Sequence, residues 1–209
     1  MGLNPTEESL NIVENLSKTI QTFHHHYHIL YDIANQYYGD KNITYVEIGA
    51  YAGGSASLMM HRNNTKIISI DIGDPIDPQI AIDNVKLNNK YENFYRYIHG
   101  NSQKDSTINH LIELLDGDKI DILFIDGDHS YDGVVEDFNN YVDFVNDGGF
   151  IVFDDYNDHW FCPEVKIAVN DILTKLDLSK YVVIGSVENK YSARPIELSE
   201  NNCFVLRKI

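Results

Sequence analysis

The sequence predicts an α/β fold with a mostly parallel sheet, and three observations carry that expectation. Two apolar runs, 122–125 (Ile, Leu, Phe, Ile) and 150–153 (Phe, Ile, Val, Phe), lack the polar alternation of half-exposed strands and suit strands buried on both faces. Between them Val134, Val135, Phe138, Tyr141, Val142 and Val145 recur at helical spacing, which makes 120–158 a β-α-β unit. Each run ends in polar, mostly acidic residues: Asp126, Asp128 and His129 follow the first, Asp154 and Asp155 the second. A right-handed crossover sets the strands parallel, so both clusters emerge at the carboxyl edge of the sheet, where open α/β sheets bind ligands. Two carboxylates about 4 Å apart repel by roughly 1 kcal/mol in water and about 4 kcal/mol at an effective dielectric near 20. A shared proton, solvent or a cation must relieve that repulsion.

The other elements follow in order. Residues 6–23 read as an amphipathic helix opened by Pro5 and Thr6, with Leu10, Val13, Leu16 and Ile20 on one face. A second helix through FHHHYHILYDIANQYY ends at Gly39 as its C-cap. His24 and His28 would share a face of it, either to hold a metal or to pack over the sheet or against another copy of the chain. Strand 43–48 then leads into EIGAYAGGSASLMMH, where Gly49, Gly53 and Gly54 let the backbone approach a ligand and Ser55 can start a helix. The amides of that turn favour a negative group.

Strand 66–70 ends in Asp71, at the distance expected of an acid that hydrogen-bonds ribose hydroxyls; the alternative is a solvated acid at a strand end. Asp77 and Pro78 open the next helix. Strand 94–98 runs into Gly100, Asn101 and Ser102, which either contact a base or serve as turn residues. Ile108, Leu111, Ile112 and Leu115 mark the helix before the β-α-β unit. Beyond Asp155, Trp160 and Phe161 read as pocket aromatics or as a core plug. A helix over 163–176 turns Val165, Ala168, Val169, Ile172 and Leu176 inward. The last strands, 181–187 and 203–207, have no helix between them and must pair antiparallel or lie apart, so a reversed strand should finish a seven-stranded sheet.

Composition narrows the partners. The 209 residues fit one unit with a sizeable core, organised as an N-terminal helical cap (1–40) on a cofactor-binding domain (41–209). A net charge of −16 argues against a nucleic-acid backbone as partner and for a small molecule. No stretch is apolar enough to span a membrane and no secretory signal is evident, so a cytoplasmic protein is expected. Cys162 and Cys203 are too few for a disulfide framework or a zinc ligand set and read as reduced and structural. The aromatic, histidine-rich segment 23–38 is a candidate lid or interface between copies.

The motifs YVEIGAYAGGSA, FIDGDHSYDG and GGFIVFDDY resemble those of class I S-adenosylmethionine-dependent methyltransferases over roughly residues 43–207. The first is most similar to catechol-type O-methyltransferases, with Tyr51 at the middle glycine position, and the other two to macrolide-sugar O-methyltransferases. The resemblance implies a Rossmann-like fold with helices on both faces of the sheet. It implies that Glu47, Gly49, Ala50, Tyr51, Gly53 and Ser55 shape the methionine side of an S-adenosylmethionine site. Asp71 would then hold the ribose, and Asn101 and Ser102 would lie beside the adenine. Asp126, at the cofactor edge, would join Asp154 and Asp155 in holding magnesium or another divalent cation.

The catechol group has Asn where Asp155 stands. His129 falls where catechol-type enzymes place a lysine base and the sugar enzymes a histidine, which implies a general base acting on a hydroxyl of a sugar or other small polar molecule. Asp128 beside it is a rival base or an orienting group. Two other readings use the same elements: an NAD(P)-dependent oxidoreductase, which would leave Asp154 and Asp155 idle, and a non-catalytic nucleotide-binding subunit.

Overall fold

The computed structural model of the protein describes residues 5–21, 23–187 and 203–209. Seven strands, β1 (Ile43–Ile48), β2 (Thr65–Asp71), β3 (Tyr95–His99), β4 (Ile120–Ile125), β5 (Val145–Phe153), β6 (Tyr181–Val187) and β7 (Cys203–Lys208), form one sheet in the order β3-β2-β1-β4-β5-β7-β6. β1 to β5 pair parallel, and β7 runs antiparallel to both β5 and β6. The reversed strand is thus last in the chain but second from the edge in space. Arginine and leucine at its centre, Arg207 and Leu206, pair with Phe150 and Ile151 of β5.

Strand residues alternate between two cores. Tyr45, Ile67, Phe124, Phe150, Val152 and Val205 face α1 (Glu7–Leu16), α2 (His28–Tyr38) and α3 (Gly54–Met59), with Val85 of α4 (Pro78–Asn88) joining that side. Val46, Ile68, Leu123, Ile151 and Leu206 face α5 (Asp105–Leu115), α6 (Tyr131–Tyr141) and α7 (Pro163–Lys175). β1 and the last four residues of β4 are buried throughout, as continuous apolar strands require. Among the described residues no helix is long and apolar enough to cross a membrane.

Several expectations shift in detail. α1 stops at Leu16 rather than reaching 23, and turns carry the chain on, with Ile20 still buried. Its start is a capping box between Thr6 and Ser9. His24 and His28 do not share a helix face: His24 precedes a 3-10 turn over His25–Tyr27, and α2 begins only at His28. His28 Nδ1 meets Asp32 at 3.0 Å, and Asp32 also accepts from the hydroxyls of Thr6 and Ser9, so this histidine ties α2 to α1. Residues 28–34 are all buried within their own chain, which leaves that part of the segment no face to offer another copy. Ser55 lies inside α3 behind an N-cap at Gly53, and α6 ends at Tyr141, with Val145 already in β5.

Candidate active site

The carboxyl ends of β1, β2, β4 and β5 open into a cavity of about 640 Å³, within the usual range for small-molecule sites. Gly49, Tyr51 and Asp71 line one part of it, Asn101 and Ser102 another, and Asp126, His129, Asp154 and Asp155 a third.

Glycine at 49 is forced by the chain. Its φ is +89°, and a Cβ there would lie 1.9 Å from the Asp126 carbonyl oxygen, so the β1 and β4 turns touch backbone to backbone. Gly53 is dictated by α4 in the same way, since its Cβ would sit 2.8 Å from the Ala81 carbonyl. Asp71 braces the turn: Oδ2 accepts from the amides of Ala50 (2.7 Å) and Tyr51 (2.9 Å), and Oδ1 from Gly73 (2.6 Å). A carboxylate has about four acceptor sites, so the three amides leave one, for which the Tyr97 hydroxyl and a ligand hydroxyl compete.

Glu47 and Ser55 lie behind the turn. Glu47 is fully buried and accepts from Tyr45 (2.9 Å), Ser55 (2.6 Å) and Ser69 (2.6 Å). Burial raises its pKa to about 7 against the opposing pull of those three bonds. Glu47, Ala50, Gly53 and Ser55 do not line the cavity; they hold the residues that do. Ser102 is similarly anchored, donating to Asp137 Oδ1 (2.6 Å) and accepting at its carbonyl from Tyr141 (2.8 Å), both on α6. Asn101 caps its own turn by accepting from the amide of Gln103 (2.7 Å).

At the opposite end the acids meet. One carboxylate oxygen from each of Asp126, Asp154 and Asp155 falls within 4.8 Å of the other two. The backbone delivers them by prolonging the ladder: the Asp126 amide donates to Ile48 and the Asp154 amide to Ile125. Burial, then repulsion from Asp154, pushes Asp126 well above the ordinary carboxylate range and Asp155 to about 6. Asp154 goes the other way: burial opposes its charge, but the His26 imidazole, His24 and the Asp155 amide together outweigh burial and hold the carboxyl below its usual value. Asp155 also adopts φ +53°, a sparsely occupied region for any residue but glycine, as is common at working sites.

His129 Nε2 stands 3.2 Å from Asp126 Oδ1 and 3.5 Å from Asp155 Oδ2. Burial works against its charge, yet the bonds to Asp126 and Cys162 prevail and raise it to about 11. Sequence reasoning placed this histidine at the acids but missed four neighbours. His26 Nε2 is 2.7 Å from Asp154 Oδ1, and the Tyr27 hydroxyl donates to Asp126 Oδ2 at 3.4 Å. Cys162 and Cys203, both free and buried, direct their thiols to Asp155 (3.3 Å) and Asp154 (3.4 Å). The run of histidines before α2 was the only hint of the first two, and nothing in it names a partner. Trp160 and Phe161 are 78% and 82% exposed, so neither is a core plug, and neither lines the cavity.

A seven-stranded sheet with this strand order, a reversed seventh strand and a cavity between a β1 glycine turn and acids after β4 and β5 has the architecture of the Rossmann-like methyltransferases. The chain belongs to the methyltransferase-domain family, whose sequence profile matches residues 46–156. It is 40% identical over 205 residues to uncharacterized protein R132 of Acanthamoeba polyphaga mimivirus, covering 90% of this chain and 89% of that one. Its fold is shared with the O-methyltransferase of Bacillus cereus in complex with SAH, at a TM-score of 0.62 and 12% identity over 98% of this chain and 92% of that one. It is shared also with MycE methyltransferase of the mycinamycin biosynthetic pathway, at 0.63 and 15% identity over 97% of this chain and 55% of the other. Membership of this family displaces the oxidoreductase reading.

Proposed function

We propose that the protein is an S-adenosylmethionine-dependent, divalent-metal-dependent O-methyltransferase acting on a hydroxyl of a sugar or another small polar molecule. The observation that carries this reading is the convergence of Asp126, Asp154 and Asp155 in the same cavity as the Gly49–Asp71 turn. Its support from similar folds is that the Bacillus cereus enzyme was solved with SAH, and MycE with Mg, SAH and mycinamycin VI.

The residues fit both groups. Asp155 Oδ1 is buried without a hydrogen-bond partner, and two of the three acids are pushed toward neutrality by burial and mutual repulsion, which a cation held among hard oxygen ligands relieves. Asp126, Asp154 and Asp155 would hold the ion. Gly49, Tyr51 and Asp71 would take the methionine and ribose portions of the cofactor, and Asn101 and Ser102 the adenine. Bound there, S-adenosylmethionine supplies an electrophilic methyl group and the ion lowers the pKa of an acceptor hydroxyl.

His129 then takes the hydroxyl proton as general base, a contribution typically worth about 10² to 10⁴ in rate. Its proton is held in the free protein chiefly by Asp126, and engaging that carboxylate elsewhere releases the imidazole for the task. Tyr27 and His24 close the cavity from the N-terminal side and help exclude water. A nucleic-acid acceptor fits poorly with a net charge of −16, so a small acceptor met in the cytoplasm is the better match.

Calorimetry with S-adenosylmethionine tests the cofactor: no binding at millimolar ligand ends the proposal. Asp154→Ala should abolish magnesium-dependent turnover while leaving cofactor affinity nearly intact, and normal methylation by that variant in chelator would refute the metal site. His129→Ala should lower turnover at neutral pH without loss of metal. Screening nucleotide-sugars and their monosaccharides for methyl transfer identifies the acceptor.

A further inference from the structure

Cys162 and His129 come from different loops, yet both reach Asp155. Cys162 Sγ lies 3.3 Å from Asp155 Oδ2, and His129 Nε2 lies 3.5 Å from the same oxygen. One ligand atom from each of the three residues falls within 4.8 Å of the other two. Tetrahedral zinc, with bonds of about 2.0 to 2.1 Å to nitrogen and oxygen and about 2.3 Å to sulfur, sets neighbouring ligand atoms about 3.3 to 3.5 Å apart. Both separations to Asp155 lie within about 0.2 Å of the spacing each atom pair requires. Magnesium makes no use of a thiol, whereas a nitrogen, oxygen and sulfur set suits a softer divalent ion.

We propose that His129, Asp155 and Cys162 form a zinc site beside the three-carboxylate cluster, and that zinc bound there blocks methyl transfer by occupying His129 and Asp155. The first half stands on this geometry alone; the second rests on the function proposed above.

The loop is built to present these groups. Asp155 leaves β5 with φ +53°, and Asp158 Oδ1 accepts from the amides of Trp160 and Phe161, both at 2.9 Å, folding the chain back so that Cys162 returns to Asp155 at the start of α7. Cys162 is 7% exposed, while the His129 side chain, at 36%, faces the cavity and leaves a fourth coordination position open to water or a ligand. Asp155 Oδ1, buried and unpartnered, is a further acceptor on the same residue.

A second cluster, His26, Asp154 and Cys203, has the same three residue types within the same span. It does not serve. His26 Nε2 and Asp154 Oδ1 are only 2.7 Å apart, closer than two ligands of one zinc ion, and Cys203 is fully buried.

Cobalt(II) tests the site as a spectroscopic stand-in for zinc, with zinc affinity then measured by competition against a chromophoric chelator, both on the full chain. The expected result is one equivalent of cobalt with an intense thiolate-to-cobalt charge-transfer band, kept in Cys203→Ser and lost in Cys162→Ser. Zinc affinity should fall at least about 100-fold in Cys162→Ser, beyond the range of outer-shell losses. Affinity for S-adenosylhomocysteine, measured alongside, should be equal in both variants and report that the fold is intact. No thiolate band in the wild type, or a band or zinc affinity unchanged in Cys162→Ser, overturns the site. These readings need no methyl transfer, so their failure leaves the enzymatic proposal standing, and the converse also holds. Zinc should then inhibit magnesium-dependent transfer by the wild type far more than by Cys162→Ser; equal inhibition of the two removes the second half of the proposal.

Discussion

His26 Nε2 lies 2.7 Å from Asp154 Oδ1, joining a turn that precedes the sheet to an acid at the end of its fifth strand. Both side chains are almost fully buried. The pair lies partly outside the stretch matched by the methyltransferase-domain family, since His26 precedes residue 46. The N-terminal segment therefore completes the acid cluster electrostatically as well as covering it.

An outer partner of this kind orients a metal-binding carboxylate, and its loss typically costs about 10- to 100-fold in metal affinity. His26→Ala should weaken manganese binding by that factor, followed by electron paramagnetic resonance, with affinity for S-adenosylhomocysteine unchanged. In chelator the same variant leaves Asp154 buried without its partner and should lose roughly 3 to 5 kcal/mol of stability. Unaltered manganese binding would show that His26 only fills space.

The acids also make an ion-free protein sensitive to pH. Asp155, raised to about 6, and Asp126, raised further, lend stability while neutral, below their unfolded values, and lose it as pH rises through the folded ones. The melting temperature in chelator should therefore fall between about pH 4 and pH 7. Magnesium should raise it more at pH 7 than at pH 5, by several degrees in differential scanning fluorimetry. Glu47, raised to about 7, adds to the slope but not to the magnesium difference, since it lies behind the turn. An equal magnesium shift at both pH values would contradict the cation site.

Gly49→Ala should be among the most damaging single substitutions. The added methyl group meets the Asp126 carbonyl at 1.9 Å, and φ +89° is costly for any side chain. Together these should cost more than about 3 kcal/mol in urea unfolding. A variant of near wild-type stability would mean that the β1 and β4 turns separate easily.

Asp137 gives a different sign. It is fully buried, Oδ1 accepts from Ser102, Oδ2 has no partner, and burial raises it to about 6. The charge the unfolded chain takes up first is a cost to folding that grows up to about that pH, and Asp137→Asn removes it while keeping an acceptor for Ser102. The variant should match the wild type near pH 3, below the unfolded carboxyl's range, and exceed it by about 1 to 3 kcal/mol at pH 8, measured by denaturant unfolding. Asp137→Ala, which frees Ser102, should instead weaken S-adenosylhomocysteine binding about tenfold, near 1.4 kcal/mol. Identical pH profiles for wild type and Asp137→Asn would show that folding does not shift this carboxyl.

Periodicity and run length determined the sheet. Residues 122–125 and 150–153 are apolar on both faces, which only a strand covered by helices on each side accommodates, and the acids after them had to emerge at one edge. The same reasoning put Asp71, Asp126, His129, Asp154 and Asp155 at one edge of the sheet, where the cavity opens. It could not say that Asp71 braces the glycine turn, that Gly53 answers to Ala81, or that Glu47 is sealed behind the cavity, because each depends on how closely two distant segments pack. His26, Tyr27, Cys162 and Cys203 were invisible for the same reason. A strand announces itself through neighbours two residues away, whereas His26 meets Asp154 from 128 positions away in the chain. Tertiary packing alone decided which histidine and which thiols would share the acids' buried, low-dielectric surroundings, and those surroundings are what shift their charges.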